Sequence, residues 1–114
     1  VCISTTRARI PSPARMSARV VEMHTVKPLD EDLVLRCGQE TRGVVTVEEH
    51  SIIGGLGGAV AECLSGRLPV PLERVGLADT FAESGSPEEL LEKYGLTAAA
   101  IAGKAKQALA RKPR

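Results

Sequence analysis

The sequence predicts an α/β domain with a mainly parallel sheet. Apolar, β-branched runs typical of buried strands alternate along the chain with segments that carry helix start and stop signals. Residues 44–64 show this most plainly, because closely spaced valines precede polar residues, a glycine turn and a compact apolar helix face. Strand, turn and helix in this order form the core of a βαβ unit, and right-handed crossovers place helices on both faces of such a sheet.

Length and composition narrow the class of protein. The chain has 114 residues, enough for one domain, of which 43% are hydrophobic and 25% charged, as in ordinary globular proteins. The net charge of +1 and the aromatic content of 2% argue against nucleic acid or an anionic membrane as a partner. No stretch is long and apolar enough to span a membrane. The three cysteines are far apart and form no CxxC pair, which predicts reduced thiols in a cytoplasmic protein.

The first residues are the least regular part of the chain. Arginines alternate there with small residues, and Pro11 and Pro13 forbid a continuous helix. We therefore predict two parts: an irregular Pro/Arg-rich arm over residues 1–17 and an α/β domain over residues 18–114.

The beginning of the arm is expected to join the sheet. Residues 1–4 are predicted to form a strand beside residues 20–23, because the intervening linker is about as long as a parallel crossover requires. This linker is expected to contain no regular helix. One face of the sheet should then lose cover over Val20, leaving an apolar patch that drives association of the chain.

Capping signals divide the rest of the chain into four helices and the strands between them. Asp30 is the predicted N-cap of the first helix, and the second follows the glycine turn. Ser86 and Glu89 form a predicted capping box for the third helix, and Thr97 caps the last. A further strand is predicted over residues 72–77, where two prolines precede an apolar run.

The glycine turn is the first candidate site. Free backbone amides at a helix start can hold an anion, which makes the turn a candidate anion-binding or interface site. The candidate residues are Glu49, His50, Ser51, Gly54, Gly55 and Gly57. The same glycines also suit tight packing of the helix on the sheet, or close approach of another subunit. The dinucleotide-binding fingerprint is not met, because Val60 stands where its third glycine would be.

A polar cluster marks the predicted end of the central strand. Glu48, Glu49 and His50 are consecutive and cannot all point one way, so surface or interface pairing is expected for them. Two histidines, His24 and His50, without a third ligand make a poor metal site, and we assign neither a metal nor a catalytic residue. Phe81 lies in a polar loop and is predicted to plug the core or an interface.

Three runs of the sequence resemble the C-terminal domain of bacterial transketolases. They are MHTVKPLDEDLV (residues 23–34), VTVEEHSIIGGLGGAVAE (residues 45–62) and RVGLADTFAESGSPEELLEKYGLT (residues 74–97). The resemblance is closest to the separate C-terminal subunits of split transketolases. Deoxyxylulose-phosphate synthases and the β chains of 2-oxo-acid dehydrogenases share the fold and a looser Glu-Glu…Gly pattern.

The resemblance implies a three-layer α/β/α domain that follows two thiamine-diphosphate domains and helps to form a dimer. In that family the cofactor, its Mg²⁺ and its activating glutamate are held by those two domains. The resemblance therefore assigns no catalytic or cofactor-binding residue here. It implies a transferase that moves ketol groups between sugar phosphates once thiamine-diphosphate-binding domains, or an N-terminal transketolase subunit, are present.

Two alternatives to this interpretation stay open. One is a free-standing α/β module that binds an anion or a phosphate-bearing ligand at the glycine turn. The other is the same domain of a deoxyxylulose-phosphate synthase.

The chain departs from the family pattern at its start. The family has a central strand and a helix before the segment that matches residues 19–24. Here residues 1–5 stand for that strand, and a Pro- and Arg-rich stretch replaces the helix. We therefore expect the chain to be a fragment, or the product of a gene with an altered 5′ end.

Overall fold

A four-stranded sheet lies at the centre of the computed structural model, which describes residues 2–3, 8–9, 17–81 and 83–111. The strands are β1 (Cys2–Ile3), β2 (Ala8–Arg9), β3 (Ser17–Ala18), β4 (Val21–Glu22), β5 (Val44–Ser51) and β6 (Leu72–Leu77). The helices are α1 (Glu31–Glu40), α2 (Leu56–Arg67), α3 (Pro87–Lys93) and α4 (Ala98–Ala110). The predicted strand over residues 72–77 is confirmed.

The order of strands in the sheet is β4-β1-β5-β6. β5 and β6 are parallel, whereas β1 is antiparallel to both of its neighbours, β4 and β5. Three of the four strands therefore run in the same direction, and the mainly parallel sheet is confirmed. β2 and β3 form a separate two-stranded antiparallel ladder.

The first strand lies where it was predicted but runs in the opposite direction. Cys2 pairs with Glu22 and Ile3 with Val21, so β1 is next to β4 but antiparallel to it. The parallel crossover was wrong because the connection folds back on itself through the β2–β3 ladder, which reverses the chain. The rest of the predicted crossover lies outside the described residues.

The helices cover both faces of the sheet. On one face, a single apolar cluster joins α1 and α2 to β5. Its buried members are Met23, Val34, Val44, Leu56, Val60, Cys63 and Leu64. On the other face α4 packs against β5 and β6, and a Cβ at Gly43 would lie 3.1 Å from Cβ of Ala108. The domain is thus a three-layer α/β/α structure.

The predicted helix starts are confirmed. The carboxylate of Asp30 accepts a hydrogen bond from the third N–H of α1 at 3.0 Å. The hydroxyl of Thr97 accepts one from the third N–H of α4 at 3.2 Å. Ser86 and Glu89 form the capping box of α3. These bonds satisfy amides that have no partner within their own helix.

Apolar side chains near β4 remain partly exposed. Val20 is 40% exposed and Val26 is 39% exposed. The association of the chain through a patch around Val20 stays a prediction, as does the division into an arm over residues 1–17 and a domain over residues 18–114.

A buried carboxylate ties α4 to the edge of the sheet. Glu73 of β6 is only 6% exposed. Lys104 Nζ lies 3.1 Å from its Oε2, and Arg111 Nη2 lies 2.7 Å from its Oε1. Arg111 also donates a hydrogen bond from Nη1 to the carbonyl oxygen of Leu72 at 3.4 Å. Lys104 in the middle of α4 and Arg111 at its end therefore neutralise a charge that the sheet buries.

Replacing this carboxylate should weaken the attachment of α4. We expect Glu73→Ala to lower the free energy of unfolding by about 1–2 kcal/mol, since both cations are partly exposed and can turn to water. Urea denaturation measures the change. The matched control is Glu83→Gln, which removes an exposed ion pair with Lys93 and should leave the midpoint unchanged. A loss for Glu73→Ala no larger than that of the control would contradict this role.

Candidate functional site

The carboxyl ends of β5 and β6 bring the predicted site residues to one edge of the sheet. β5 continues past its predicted end as far as Ser51. Val47 lies opposite Val75, and Ser51 lies opposite Leu77, so three residues of β5 face a single residue of β6. Such a bulge re-aims side chains, and here it does so at the start of the polar cluster.

The bulge fits against β6 only because its partner is a glycine. A Cβ on Gly76 would lie 2.9 Å from the carbonyl oxygen of His50 and 2.9 Å from Cγ2 of Ile52. It would also lie 3.2 Å from Cγ of Glu48. Any larger residue would push the two strands apart at this point.

Glu48 is buried, with 3% of its surface exposed, and points to the start of α2. Its Oε2 accepts a hydrogen bond from the N–H of Leu56 at 2.7 Å, and its Oε1 accepts one from the N–H of Gly57 at 3.0 Å. A negative charge at this position also interacts favourably with the helix dipole. The expectation that Glu48 pairs at the surface or at an interface is therefore wrong, because the carboxylate caps a helix inside the domain.

The glycine turn leaves room for this carboxylate. Gly55 is the N-cap residue of α2 and has no side chain with which to cap it. A Cβ at Gly55 would lie 2.1 Å from Oε2 of Glu48, which is closer than any two such atoms can approach. Gly55 therefore serves close approach within the domain.

The protein's own carboxylate fills the predicted anion site. The amides of Leu56 and Gly57, which an incoming anion would need, already donate to Glu48. The free amides on which the anion-binding interpretation depended are thus not present at these two positions, and we do not carry that interpretation further.

The candidate residues divide into a surface group and a buried group. Glu49, His50 and Gly54 are exposed, and Ser51 is half-buried. Gly55 and Gly57 are buried beneath them. An interface at the surface group stays a prediction.

Three hydrogen bonds hold the surface loop that follows β5. His50 Nδ1 lies 2.8 Å from the carbonyl oxygen of Ser51, and the N–H of Ile53 donates to Oγ of Ser51 at 3.2 Å. Arg74 Nη1 donates to the carbonyl oxygen of Ile52 at 3.0 Å. The loop presents Ile53 to solvent, with 61% of its surface exposed.

The loop that follows β6 is held in a similar way and presents an aromatic ring. The N–H of Glu83 donates to Oη of Tyr94 at 3.0 Å, and the Glu83 carboxylate lies 2.5 Å from Nζ of Lys93. The hydrogen bond between the Lys93 ammonium and the Glu83 carboxylate lowers the pKa of Glu83 and raises the pKa of Lys93. Phe81 is fully exposed, so the prediction that it plugs the core is wrong. Its role at an interface stays a prediction.

Comparison with known proteins identifies the family. The family model for the transketolase C-terminal domain matches residues 10–101. This chain belongs to the transketolase C-terminal domain family.

Relatives of this transketolase C-terminal domain come from several enzymes. It is 52% identical over 97 residues to the 6-deoxy-6-sulfo-D-fructose transketolase subunit SqwH of Clostridium sp. (strain MSTE9), covering 85% of this chain and 30% of the relative. It is 51% identical over 88 residues to a putative transketolase C-terminal section of Methanocaldococcus jannaschii, covering 76% of this chain and 27% of the relative. It is 48% identical over 101 residues to the 1-deoxy-D-xylulose-5-phosphate synthase of Nitrosococcus oceani, covering 88% of this chain and 16% of the relative.

A solved structure shows the same fold. A split gene transketolase, described as an inactive beta4 tetramer, superposes with a TM-score of 0.79 at 46% sequence identity, over 87% of this chain and 32% of that chain. The transketolase C-terminal domain thus spans about a third or less of the length of these relatives.

The start of α2 in this transketolase C-terminal domain does not fit the diphosphate of thiamine diphosphate. The diphosphate requires hydrogen-bond donors, and its Mg²⁺ requires oxygen ligands. The amides at the start of α2 are taken by Glu48. Within the described ranges, no three His, Cys, Asp or Glu side chains lie together as metal ligands.

Among the residues that the structure describes, no helix is long and apolar enough to cross a membrane.

No capping role was assigned to Glu48 from the sequence alone, although the sequence holds a signal for it. Val44, Thr46 and Glu48 alternate along β5 with less buried residues, and all three are buried. Residues two apart on a strand share a face, so this alternation directs Glu48 toward the same side as Val44. The Oγ1 atom of Thr46 has no hydrogen-bond partner among the described residues and lies beneath Gly57, where a Cβ would be 2.9 Å away.

Removing the cap should destabilise the domain strongly. We expect Glu48→Ala to lower the free energy of unfolding by about 2–4 kcal/mol, because two amides at a buried helix start would lose their acceptor. Urea denaturation followed by circular dichroism measures this change. Glu49→Ala is the matched control, since the neighbouring side chain is exposed and its loss should cost less than about 0.5 kcal/mol. Equal losses for the two variants would show that the cap contributes little.

Proposed function

We propose that this chain is the C-terminal domain of a thiamine-diphosphate-dependent transketolase, and that it takes part in ketol transfer between sugar phosphates only within the complete enzyme. The observation that carries this proposal is its similarity to transketolase chains of which it spans under a third, at 46–52% identity. The other parts of such an enzyme would supply the cofactor site, because the amides at the start of α2 are already bonded to Glu48. The domain's own task is then assembly.

We infer that the partners of this chain are thiamine-diphosphate-binding domains or an N-terminal transketolase subunit, and that copies of the chain also associate with one another as a homo-oligomer. The similar split gene transketolase is described as a tetramer, which supports an oligomer. A cytoplasmic location is supported by Cys37 and Cys63, which are buried and unpaired. Burial raises the pKa of both thiols, which keeps them protonated and unreactive at neutral pH.

A second candidate is the same domain of a deoxyxylulose-phosphate synthase. The 48% identity to the Nitrosococcus oceani enzyme over 88% of this chain favours it. Under either proposal this chain provides a domain for assembly, and the two differ in the reaction that the complete enzyme carries out.

The first test is cofactor binding by the chain alone. We expect calorimetry with thiamine diphosphate and Mg²⁺ to show no binding at micromolar concentrations, because Glu48 occupies the amides of the glycine turn. The purified chain should also transfer no ketol group between pentose phosphates. Tight binding, or turnover by the chain alone, would overturn the proposal.

The second test places the domain in a complete enzyme. In a chimera, residues 17–111 replace the matched C-terminal region of the Clostridium SqwH subunit, and ketol transfer is assayed beside the parent enzyme. We expect the chimera to be active. A parallel chimera in the Nitrosococcus oceani synthase distinguishes the two candidates, since the better-restored reaction identifies the enzyme type. A chimera that folds but restores neither reaction would contradict both.

A further inference from the structure

We draw no further inference here: the strongest candidate, the outer edge of β6, which is the last strand of the sheet among the described residues and carries the exposed Arg74, supports no proposal because nothing in the structure shows what covers it.

Discussion

The contact between the Glu48 carboxylate and the first amides of α2 is the interaction on which the arrangement of this domain depends. One side chain from the central strand satisfies two helix-start amides and places a negative charge at the positive end of the helix dipole. This contact also requires glycine at two neighbouring positions. Gly55 must leave space for the carboxylate, and Gly76 must leave space for the bulge in the strand that carries it.

The same contact explains why a strand–glycine–helix unit is not a phosphate site here. Such units bind phosphate when their amides are free. In this domain a carboxylate supplied by the chain takes the place of the phosphate, so the first two amides of α2 already have an acceptor. What remains for function is the surface outside it, where the bulge and the next loop direct side chains away from the core. This arrangement agrees with the role in assembly that we propose.

Local rules predicted most of the fold. The caps at Asp30, Ser86 and Thr97 depend on residues within one turn of each helix, and each was readable from the sequence. The strand over residues 72–77 and the fold class followed from apolar patterning and from resemblance to the family.

The rest depends on contacts between residues distant in sequence. The direction of β1 is set by how the connection after it folds back, which no local signal encodes. Lys104 lies 31 positions after Glu73, so no pattern within the last helix predicts that these two side chains pair. At the candidate site, the glycines and the exposed residues were found, but the burial of Glu48 was missed because the strand was expected to end before it.

Hydrogen exchange at the start of α2 tests whether Glu48 caps this helix in solution. We expect the amides of Leu56 and Gly57 to exchange as slowly as paired amides in the middle of β5, at rates that phosphate does not alter. In Glu48→Ala both amides should exchange much faster, while the amides of α4 change less. Rapid exchange of these two amides in the unaltered protein, slowed by added phosphate, would show that the turn is open and would contradict the account.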